Sequence, residues 1–324
     1  ADYHGGTRRY PVIYFHDGQN LFEANTATFG AEWMVDEHYD ELELERLIEP
    51  AIIVGIDNTE DRTREYVGDD TTVGDAKQAY TQWLIHSLKP YIDHHYRTRS
   101  QPDYTLVMGS SFGGIISFYQ SWTHPEVFGH AGCVSTAFWR NGVALLAELE
   151  AYAGAKKPVR YWIDAGNEEN AKDALGRSSY IDRNRRFAEK LVSLGWRENE
   201  DLGYLEVMNA KHDEQAWSRR IKSILYFLLR RQEPQLAQVV VRPFLEQLSV
   251  DEQTSVSVDL LYENGGRLTD VRADNFSGAS LSVKTPALVN FDANTGIVTA
   301  NASGTCILET HAELMQNTAE ILIQ

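Results

Sequence analysis

The chain has 324 residues, 43% of them apolar, and a net charge of −17. At about 150 residues per domain this length predicts roughly two domains, and the composition is sufficient for a large core. The negative charge argues against nucleic acid or an anionic membrane as a partner, because both would repel it. No apolar stretch approaches the roughly 20 residues that cross a bilayer, so no membrane span is predicted.

Short apolar runs alternate with longer amphipathic segments over the first two thirds of the chain. We predict strands at residues 12–15, 51–56, 105–108, 130–134, 159–163 and 204–208. Helices are predicted at residues 35–47, 80–91, 114–122, 144–151, 183–194 and 214–231. Apolar strands separated by helices predict a parallel sheet covered on both faces, with the site in the loops at the carboxyl ends of the strands.

The pattern changes after Pro234. From Val239 onward we predict short strands at residues 239–241, 256–261, 268–271, 281–283, 297–300, 305–310 and 319–323, with turns at 264–266 and 293–296. This spacing predicts a β-sandwich of immunoglobulin-like type. We therefore predict an α/β domain at residues 1–232 and an all-β domain at residues 239–324.

The two cysteines, Cys133 and Cys306, fall in different predicted domains. A disulfide framework is not expected, and both are predicted to be small buried apolar residues. They do not indicate the redox compartment.

Residues 109–114, with the sequence GSSFGG, lie between a predicted strand and a predicted helix. A G-x-S-x-G in that position is typical of the nucleophile elbow of α/β-hydrolases. The turn is too tight for a side chain at Gly109 or Gly113, so Ser111 alone projects its hydroxyl. The backbone N–H of Phe112 would then lie at the N-terminus of the new helix, where a developing oxyanion is favoured.

A serine hydroxyl is a poor nucleophile until a neighbouring base takes its proton, and that base needs an acid to orient it. α/β-Hydrolases supply these groups in the order serine, acid, histidine, each on a loop after a strand. His212 fits this order, because it follows the last predicted strand of the sheet and precedes the last helix. We therefore predict His212 as the base.

Four carboxylates are candidates for the acid. Asp164, Glu168 and Glu169 follow the fifth predicted strand, and Asp182 lies further along the chain. One of them must accept a hydrogen bond from the imidazole nitrogen that does not face Ser111. The others are expected to be solvated loop charges or helix caps.

An oxyanion hole needs a second N–H group, usually from the loop after an early strand. The first predicted strand runs into residues 16–22, where Gly18 permits close approach of the backbone. The N–H of Gln19 is the donor that this loop predicts. The alternative is an Asp-Gly turn without a chemical role.

Taken in order, these segments resemble the putative esterase family of α/β-hydrolases. That family includes esterase D-like, siderophore, feruloyl and acetylxylan esterases and the mycolyltransferases. The resemblance extends from residue 10 to about residue 231. It rests on residues 10–22 (YPVIYFHDGQNLF), 54–58 (VGIDN), 64–66 (REY), 96–98 (YRT) and 109–114 (GSSFGG).

The resemblance implies Ser111 as nucleophile, His212 as base, and the amides of Gln19 and Phe112 as oxyanion hole. It also favours Glu169 as the acid, because the family places its acid at the fourth position of a Gly-x-x-Asp/Glu loop. The resemblance further implies ester hydrolysis through an acyl-enzyme.

Two features depart from the family pattern. The family normally carries strands before residue 10, so this chain is expected to be incomplete at its front. The family also does not require a C-terminal sandwich, and residues 288–324 resemble a bacterial Ig-like module. Because such modules resemble those of exported bacterial proteins, we expect a periplasmic or secreted location.

The sequence thus predicts a serine carboxylesterase that needs no metal or cofactor and acts on a small-molecule or carbohydrate-linked ester, such as a feruloyl or siderophore ester. Acyl transfer of the mycolyltransferase type and a non-catalytic surface or binding protein are the alternatives. The Ig-like domain is expected to contact a surface or another protein. Four aromatic residues could stack on a sugar or an aromatic acyl group, with packing as the alternative: Trp33, Phe138, Trp139 and Trp217.

Overall fold

The apolar runs of the first two thirds of the chain form a parallel sheet. The computed structural model describes residues 3, 5–68, 75–139, 142–169, 179–230, 236–262, 267–268, 279–292, 296–312 and 315–324. Within these ranges the sheet contains β1 (Val12–His16), β2 (Ile52–Ile56), β3 (Thr105–Ser110), β4 (His130–Val134), β5 (Arg160–Gly166) and β6 (Leu202–Val207). The spatial order is β2-β1-β3-β4-β5-β6, and all neighbours are parallel, so the predicted parallel sheet is confirmed.

Burial explains why the central strands are mostly apolar. All residues of β1 and β3 are buried, which requires cover on both faces of the sheet. Parallel neighbours are joined by crossovers, so the carboxyl ends of the strands lie at one edge of the sheet. The loops that follow β1, β3, β4, β5 and β6 therefore meet at this edge.

Helices supply the cover. Those in the described ranges are α1 (Val35–Leu44), α2 (Arg62–Val67), α3 (Asp75–Trp83), α4 (Lys89–His95), α5 (Phe112–Thr123), α6 (Gly142–Ala151), α7 (Ser179–Ser193), α8 (Glu214–Ser218) and α9 (Ile221–Leu229). A π-helical turn, Leu84–Leu88, joins α3 to α4, so the helix predicted at residues 80–91 is longer at both ends. None of these helices is long and apolar enough to cross a membrane.

The helix predicted at residues 214–231 is instead two helices, α8 and α9. At the junction Arg220 has φ −118°, and its side chain is buried with Nη2 3.0 Å from Oδ1 of Asp164. A buried guanidinium needs a carboxylate partner, and we attribute the interruption to this ion pair. Hydrophobic periodicity could not reveal it.

The last part of the chain is all-β, as predicted. Its described strands are β7 (Leu236–Pro243), β8 (Gln247–Leu248), β9 (Gln253–Tyr262), β10 (Arg267–Leu268), β11 (Ala279–Val283), β12 (Val289–Asp292), β13 (Ile297–Ala300), β14 (Gly304–Ala312) and β15 (Met315–Ile323). One sheet has the order β10-β9-β13-β12 with β7 also on β9, and the other has the order β11-β14-β15-β8. Neighbours are antiparallel except β8 and β15. The immunoglobulin-like type stays a prediction.

Three predicted features of this part lie wholly or partly outside the described residues. They are the turn at residues 264–266, residues 269–271 of a predicted strand, and residues 293–295 of the second predicted turn.

The chain divides into two compact units, one of residues 1–43 and 48–230 and the other of residues 44–47 and 231–324. The core of the first unit is rich in large aromatic side chains that are fully buried, among them Trp122, Trp196, Phe118 and Tyr161. The core of the second unit is built mainly of aliphatic side chains from its two sheets. Cys133 is buried in the first core and Cys306 in the second, each as a free thiol.

Candidate active site

The turn between β3 and α5 holds Ser111 in an unusual backbone conformation. β3 ends at Ser110, α5 begins at Phe112, and Ser111 between them has φ 56° and ψ −115°. A positive φ is uncommon for residues other than glycine, and the strain it stores is typical of functional sites. A Cβ at Gly109 would lie 2.8 Å from the carbonyl carbon of Gly113, so only glycine fits there. Strand, strained serine and helix together have the geometry of a nucleophile elbow.

His212 and Glu169 are in contact, although 43 positions separate them. Nδ1 of His212 lies 3.0 Å from Oε2 of Glu169. His212 lies in the loop after β6, and Glu169 lies in the loop after β5. Because a carboxylate accepts hydrogen bonds, the Nδ1–H donates to it and Nε2 presents its lone pair.

The hydroxyl of Tyr180, at the start of α7, lies beside His212. Its oxygen is 3.3 Å from Nε2 of His212, and the two rings are 4.5 Å apart. Burial raises the pKa of Tyr180 to about 12, so the hydroxyl stays protonated at neutral pH. No direct hydrogen bond joins Ser111 to His212 in the described part of the chain.

Glu169 is fully buried and held by hydrogen bonds from the end of β5 and from the loop after β4. Its Oε1 accepts a hydrogen bond from the backbone N–H of Gly166 at 2.6 Å and one from Oγ of Ser135 at 2.5 Å. A Cβ on Gly166 would lie 2.3 Å from the carbonyl oxygen of Ala210. The absence of a side chain at Gly166 therefore lets this loop approach the loop that carries His212.

The other three candidate acids have different surroundings. Asp164 is buried at the end of β5 and forms an ion pair with Arg220. Glu168 is exposed, and Asp182 lies in the first turn of α7. Of the four carboxylates that the sequence left open, Glu169 is the one in contact with His212 in the described structure. Its role as the acid stays a prediction.

A buried polar network behind Glu169 was not predicted from the sequence. Oγ of Ser135, which donates to Glu169, accepts hydrogen bonds from Nε1 of Trp217 at 2.9 Å and from Nη2 of Arg220. The backbone N–H of Ser135 donates to Oδ1 of Asp164 at 2.9 Å. Burial raises the pKa of Asp164, and the charge of Arg220 opposes this rise.

The position of Ser135, directly after β4, was the available sequence signal, because the loops at this edge of the sheet carry the site. No comparable signal marks Arg220. Charged residues in a helical pattern are usually solvated, and the sequence does not show which of them is buried.

The loop after β1 lies against the start of α5. A Cβ on Gly18 would lie 2.5 Å from the carbonyl carbon of Gly55, so glycine is required for this close approach. A Cβ on Gly113 would lie 3.3 Å from Oδ2 of Asp17, which places the loop beside the first turn of α5.

Gln19 lies in a single 3-10 turn, Gly18–Asn20. The N–H groups of Asn20 and Leu21 donate to the carbonyl groups of Asp17 and Gly18. The N–H of Gln19, near the start of the turn, is not used in these two bonds and can donate to a ligand. Phe112 is the first residue of α5. Both predicted oxyanion donors therefore lie at helix starts that pack side by side.

A salt bridge fixes the loop that carries Gln19. Arg62 forms two hydrogen bonds to the carboxylate of Asp17, from Nε at 2.6 Å and from Nη2 at 2.7 Å. Nδ2 of Asn58 donates to the same carboxylate at 2.7 Å. The backbone N–H of Asn58 donates to Oε1 of Gln19 at 3.2 Å, so the loops after β1 and β2 hold each other.

Two of the predicted aromatic residues, Trp217 and Trp139, contact His212 or Tyr180, and Trp33 contacts Trp217. The ring of Trp217 is 5.0 Å from the ring of His212 and 5.4 Å from that of Trp33. Both tryptophans are largely buried. Trp139 is 37% exposed and makes an edge contact with Tyr180. Trp139 is thus the aromatic of this group that offers a surface to a ligand.

Phe138 does not fit the prediction of substrate binding. Its side chain is fully buried in the core and stacks on Phe187 with an edge contact to Phe118. Phe138 and Trp139 lie in the turn after β4, where Phe138 is buried and Trp139 is partly exposed. Phe138 is a core residue.

Acidic side chains with ligand-like spacing occur in the described residues at Glu32, Asp36 and Glu37. Asp36 and Glu37 are exposed, and such groups are common on surfaces without an ion. None of the three is among the hydrogen-bond partners described for Ser111 or His212.

Residues 1–228 match the sequence model of the family described as "Putative esterase". Among solved structures, the enterobactin esterase FES from Shigella flexneri is 21% identical with a TM-score of 0.51, over 69% of this chain and 53% of that chain. An IroE-like serine hydrolase from Shewanella oneidensis is also 21% identical, with a TM-score of 0.52 over 69% of this chain and 72% of that chain.

Among curated sequences, the protein described as "Uncharacterized protein YbbA" of Bacillus subtilis strain 168 is 21% identical over 201 residues, or 59% of this chain and 74% of that protein. The chain spans about half the length of the FES chain that it matches. The structural likenesses agree with the parallel sheet and its helices, so the predicted α/β-hydrolase fold is confirmed.

Proposed function

The chain belongs to the "Putative esterase" family, and from that premise we propose that it is a serine esterase with Ser111 as nucleophile, His212 as base and Glu169 as acid. Family membership supports ester hydrolysis. The substrate and the roles of the three side chains are our inference from the site.

The observation that supports this proposal most strongly is the backbone conformation of Ser111. A serine with φ 56° at the junction of a buried strand and a helix is strained. Such strain is found mainly where the side chain has a function. In an elbow of this kind the serine hydroxyl projects away from both elements. His212 and Glu169 lie on the loops after β6 and β5.

The proposed reaction begins when Oγ of Ser111 attacks the carbonyl carbon of the ester and its proton passes toward Nε2 of His212. The carbonyl π electrons move to oxygen, and this oxyanion is stabilised by the N–H groups of Gln19 and Phe112. The C–O bond to the alcohol then breaks, and the leaving alcohol takes the proton from His212. Water, activated by the same base, hydrolyses the acyl-enzyme.

Glu169 is suited to orient the base. Its contact with Nδ1 of His212 fixes the tautomer in which Nε2 can accept a proton, and it stabilises the imidazolium that forms. Ser135 and Gly166 hold the other carboxylate oxygen, so the carboxylate cannot rotate away from the imidazole.

We propose an ester with an aromatic or sugar-linked acyl group as substrate. The support is the exposed face of Trp139 beside Tyr180, together with the esterase relatives, one of which is an enterobactin esterase. Aromatic side chains favour stacked partners of this kind.

Turnover of a panel of p-nitrophenyl, feruloyl, acetyl-sugar and siderophore esters tests the function. We expect Ser111→Ala to abolish hydrolysis and labelling by a fluorophosphonate, because the nucleophile is lost. Ser110→Ala, one position earlier at the end of β3, is the matched control and should keep both. Full activity of Ser111→Ala would exclude the proposal.

We also propose a location outside the cytoplasm, which rests on the predicted Ig-like character of the second unit. Fractionation of the native host with an antibody against this chain tests the proposal. Recovery of the chain only in the cytoplasmic fraction would exclude it.

A further inference from the structure

Two buried carboxylates near His212 share one buried guanidinium. Nη2 of Arg220 lies 3.0 Å from Oδ1 of Asp164 and 3.8 Å from Oε1 of Glu169. Both carboxylates are fully buried, and Arg220 is 4% exposed. Because water screens charges poorly at such depth, the charge of Asp164 acts on Glu169 and on the imidazole that Glu169 contacts.

Ser135 connects the same two carboxylates. Its backbone N–H donates to Oδ1 of Asp164 at 2.9 Å, and its hydroxyl donates to Oε1 of Glu169 at 2.5 Å. Ser135 has φ 41°, in the left-handed region that residues other than glycine seldom adopt. Strain of this kind is found mainly at functional sites, and here it accompanies a serine that bridges two acids.

The carboxyl group of Asp164 is surrounded by hydrogen-bond donors. Nε1 of Trp162 donates to Oδ2 at 2.7 Å, and the backbone of Ser135 and the guanidinium of Arg220 approach Oδ1. Burial raises the pKa of Asp164, but these donors favour the ionised form, and none of them has a lone pair that could accept a proton. Asp164 is therefore a carboxylate at neutral pH.

The charges of these groups balance only when His212 is protonated. With a neutral His212, the cluster of Asp164, Glu169, Arg220 and His212 carries two negative charges and one positive charge. When His212 takes the proton of the nucleophile, the cluster carries two of each sign. Without the charge of Asp164, the same step would leave a buried positive charge uncompensated, and the guanidinium would compete with the imidazole for Glu169.

We propose that Asp164 is a positioning residue of the catalytic site, which acts through Arg220 and Ser135. It holds the guanidinium away from Glu169, and its charge stabilises the imidazolium that forms during ester cleavage. This proposal rests on the serine esterase function proposed above. The alternative is an ion pair that only anchors the junction of α8 and α9, and such a pair would change stability without changing the protonation of His212.

The first test is Asp164→Asn, which removes the charge and keeps the size of the side chain. We expect the pH at which the His212 ring takes up a proton, followed by NMR, to fall by about one unit, near the lower end of the effect of a nearby charge. The acid limb of kcat/KM for a p-nitrophenyl ester should move to lower pH by the same amount, and kcat should fall about tenfold. The other titratable groups beside His212 are the same in both proteins: Tyr180 in α7, and Lys211, Asp213 and Glu214 in its own segment.

A double variant separates charge from structure. Asp164→Asn combined with Arg220→Gln removes one charge of each sign, so the cluster balances again when His212 is protonated. We expect its NMR titration and its acid limb to return to the wild-type pH. Asp259→Asn is the matched control, because Asp259 is 2% exposed and lies 2.9 Å from Arg242 in the second unit. It should leave both curves unchanged.

A wild-type titration of His212 in Asp164→Asn would overturn the proposal and leave the ion pair with a structural role. A double variant that keeps the shift of the single one would overturn it too, because charge balance would not be the cause. If Asp164→Asn does not fold, Arg220→Gln decides: two uncompensated carboxylates should raise the pH at which His212 takes up a proton, and an unchanged value would contradict the proposal. Absence of turnover and of fluorophosphonate labelling at Ser111 in wild type would remove the esterase function, while the NMR titration would still show whether Asp164 acts on His212.

Discussion

At the scale of single residues, the contact between Glu169 and His212 depends on which of two neighbouring glutamate side chains in the loop after β5 is buried. Glu168 and Glu169 are neighbours with the same chemistry, yet Glu168 is exposed and Glu169 is fully buried. Burial of a carboxylate is costly unless its oxygens are hydrogen-bonded. Both oxygens of Glu169 are satisfied, by Gly166 and Ser135 on one side and by His212 on the other.

We therefore expect Glu169→Gln to reduce kcat for ester hydrolysis by about 1,000-fold. The amide can donate to Nδ1 of His212 and would favour the tautomer in which Nε2 cannot act as base. Glu168→Gln makes the same chemical change at an exposed site and should leave kcat unchanged. Equal losses in the two variants, measured with one ester at saturation, would contradict the assignment of Glu169.

The sequence identified the groups of this site only in part. Ser111 and His212 followed from the order of strands, turns and helices, because the elbow has strict steric requirements. Four acids were left open, since spacing along a chain does not say which side chain turns inward. Tyr180 carried no signal, because the first turn of an amphipathic helix presents side chains in several directions.

At the scale of elements, the junction of β3 and α5 is the part of the fold that the sequence predicted most fully. A run of buried apolar residues, a Gly-x-Ser-x-Gly and a helical segment determine it locally. The interruption between α8 and α9 was not predictable, because it depends on an ion pair between Arg220 and Asp164, which is 56 positions away. Long-range pairs of this kind override local helical periodicity.

The two glycines of the elbow, Gly109 and Gly113, are expected to differ in how much stability is lost when each is replaced by alanine. We expect Gly109→Ala to lower the free energy of unfolding by about 1–3 kcal/mol, because its Cβ would overlap backbone atoms of Gly113. Gly113→Ala should cost less, since the nearest atom, at 3.3 Å, belongs to the side chain of Asp17. Urea unfolding of both variants measures the order, and a larger loss for Gly113→Ala would contradict it.

At the scale of the whole molecule, acid is expected to weaken the first unit through His16. This side chain is buried at the end of β1, where it contacts the hydroxyl of Tyr80 and Oε1 of Gln120. Burial lowers the pKa of His16 from 6.5 to about 4. Between these values the unfolded chain binds a proton that the folded chain does not, so stability is lost as the pH falls from 6.5 toward 4.

Between pH 7 and pH 4.5 the expected loss in the free energy of unfolding from this one residue is about 2.5 kcal/mol. Tryptophan fluorescence during urea unfolding at pH 7 and pH 4.5 measures it in the first unit, because all seven tryptophans precede residue 218. For His16→Gln, the free energy of unfolding should differ less between pH 7 and pH 4.5 than it does for wild type. His124→Gln, where the histidine pairs with Glu126 at the surface, should keep the full difference. An equal acid loss in His16→Gln and wild type would contradict this account.

The second unit leads to the last prediction. Ser111, Glu169, Tyr180 and His212 all lie in the first unit, and so do the described residues that hold them. A chain that ends at Gln232 is therefore expected to hydrolyse a small soluble p-nitrophenyl ester with kcat/KM within about threefold of the full chain, since separate domains usually retain their own cores.

The ester chosen decides what a loss of activity in this truncated chain would mean. Loss on the small ester, in a soluble chain with native circular dichroism, would show that the second unit helps to build the site. Loss confined to a polymer-linked ester would assign the second unit to holding the enzyme at its substrate. That distinction rests on KM, because a targeting unit raises the local concentration of substrate and leaves the chemistry at Ser111 unchanged.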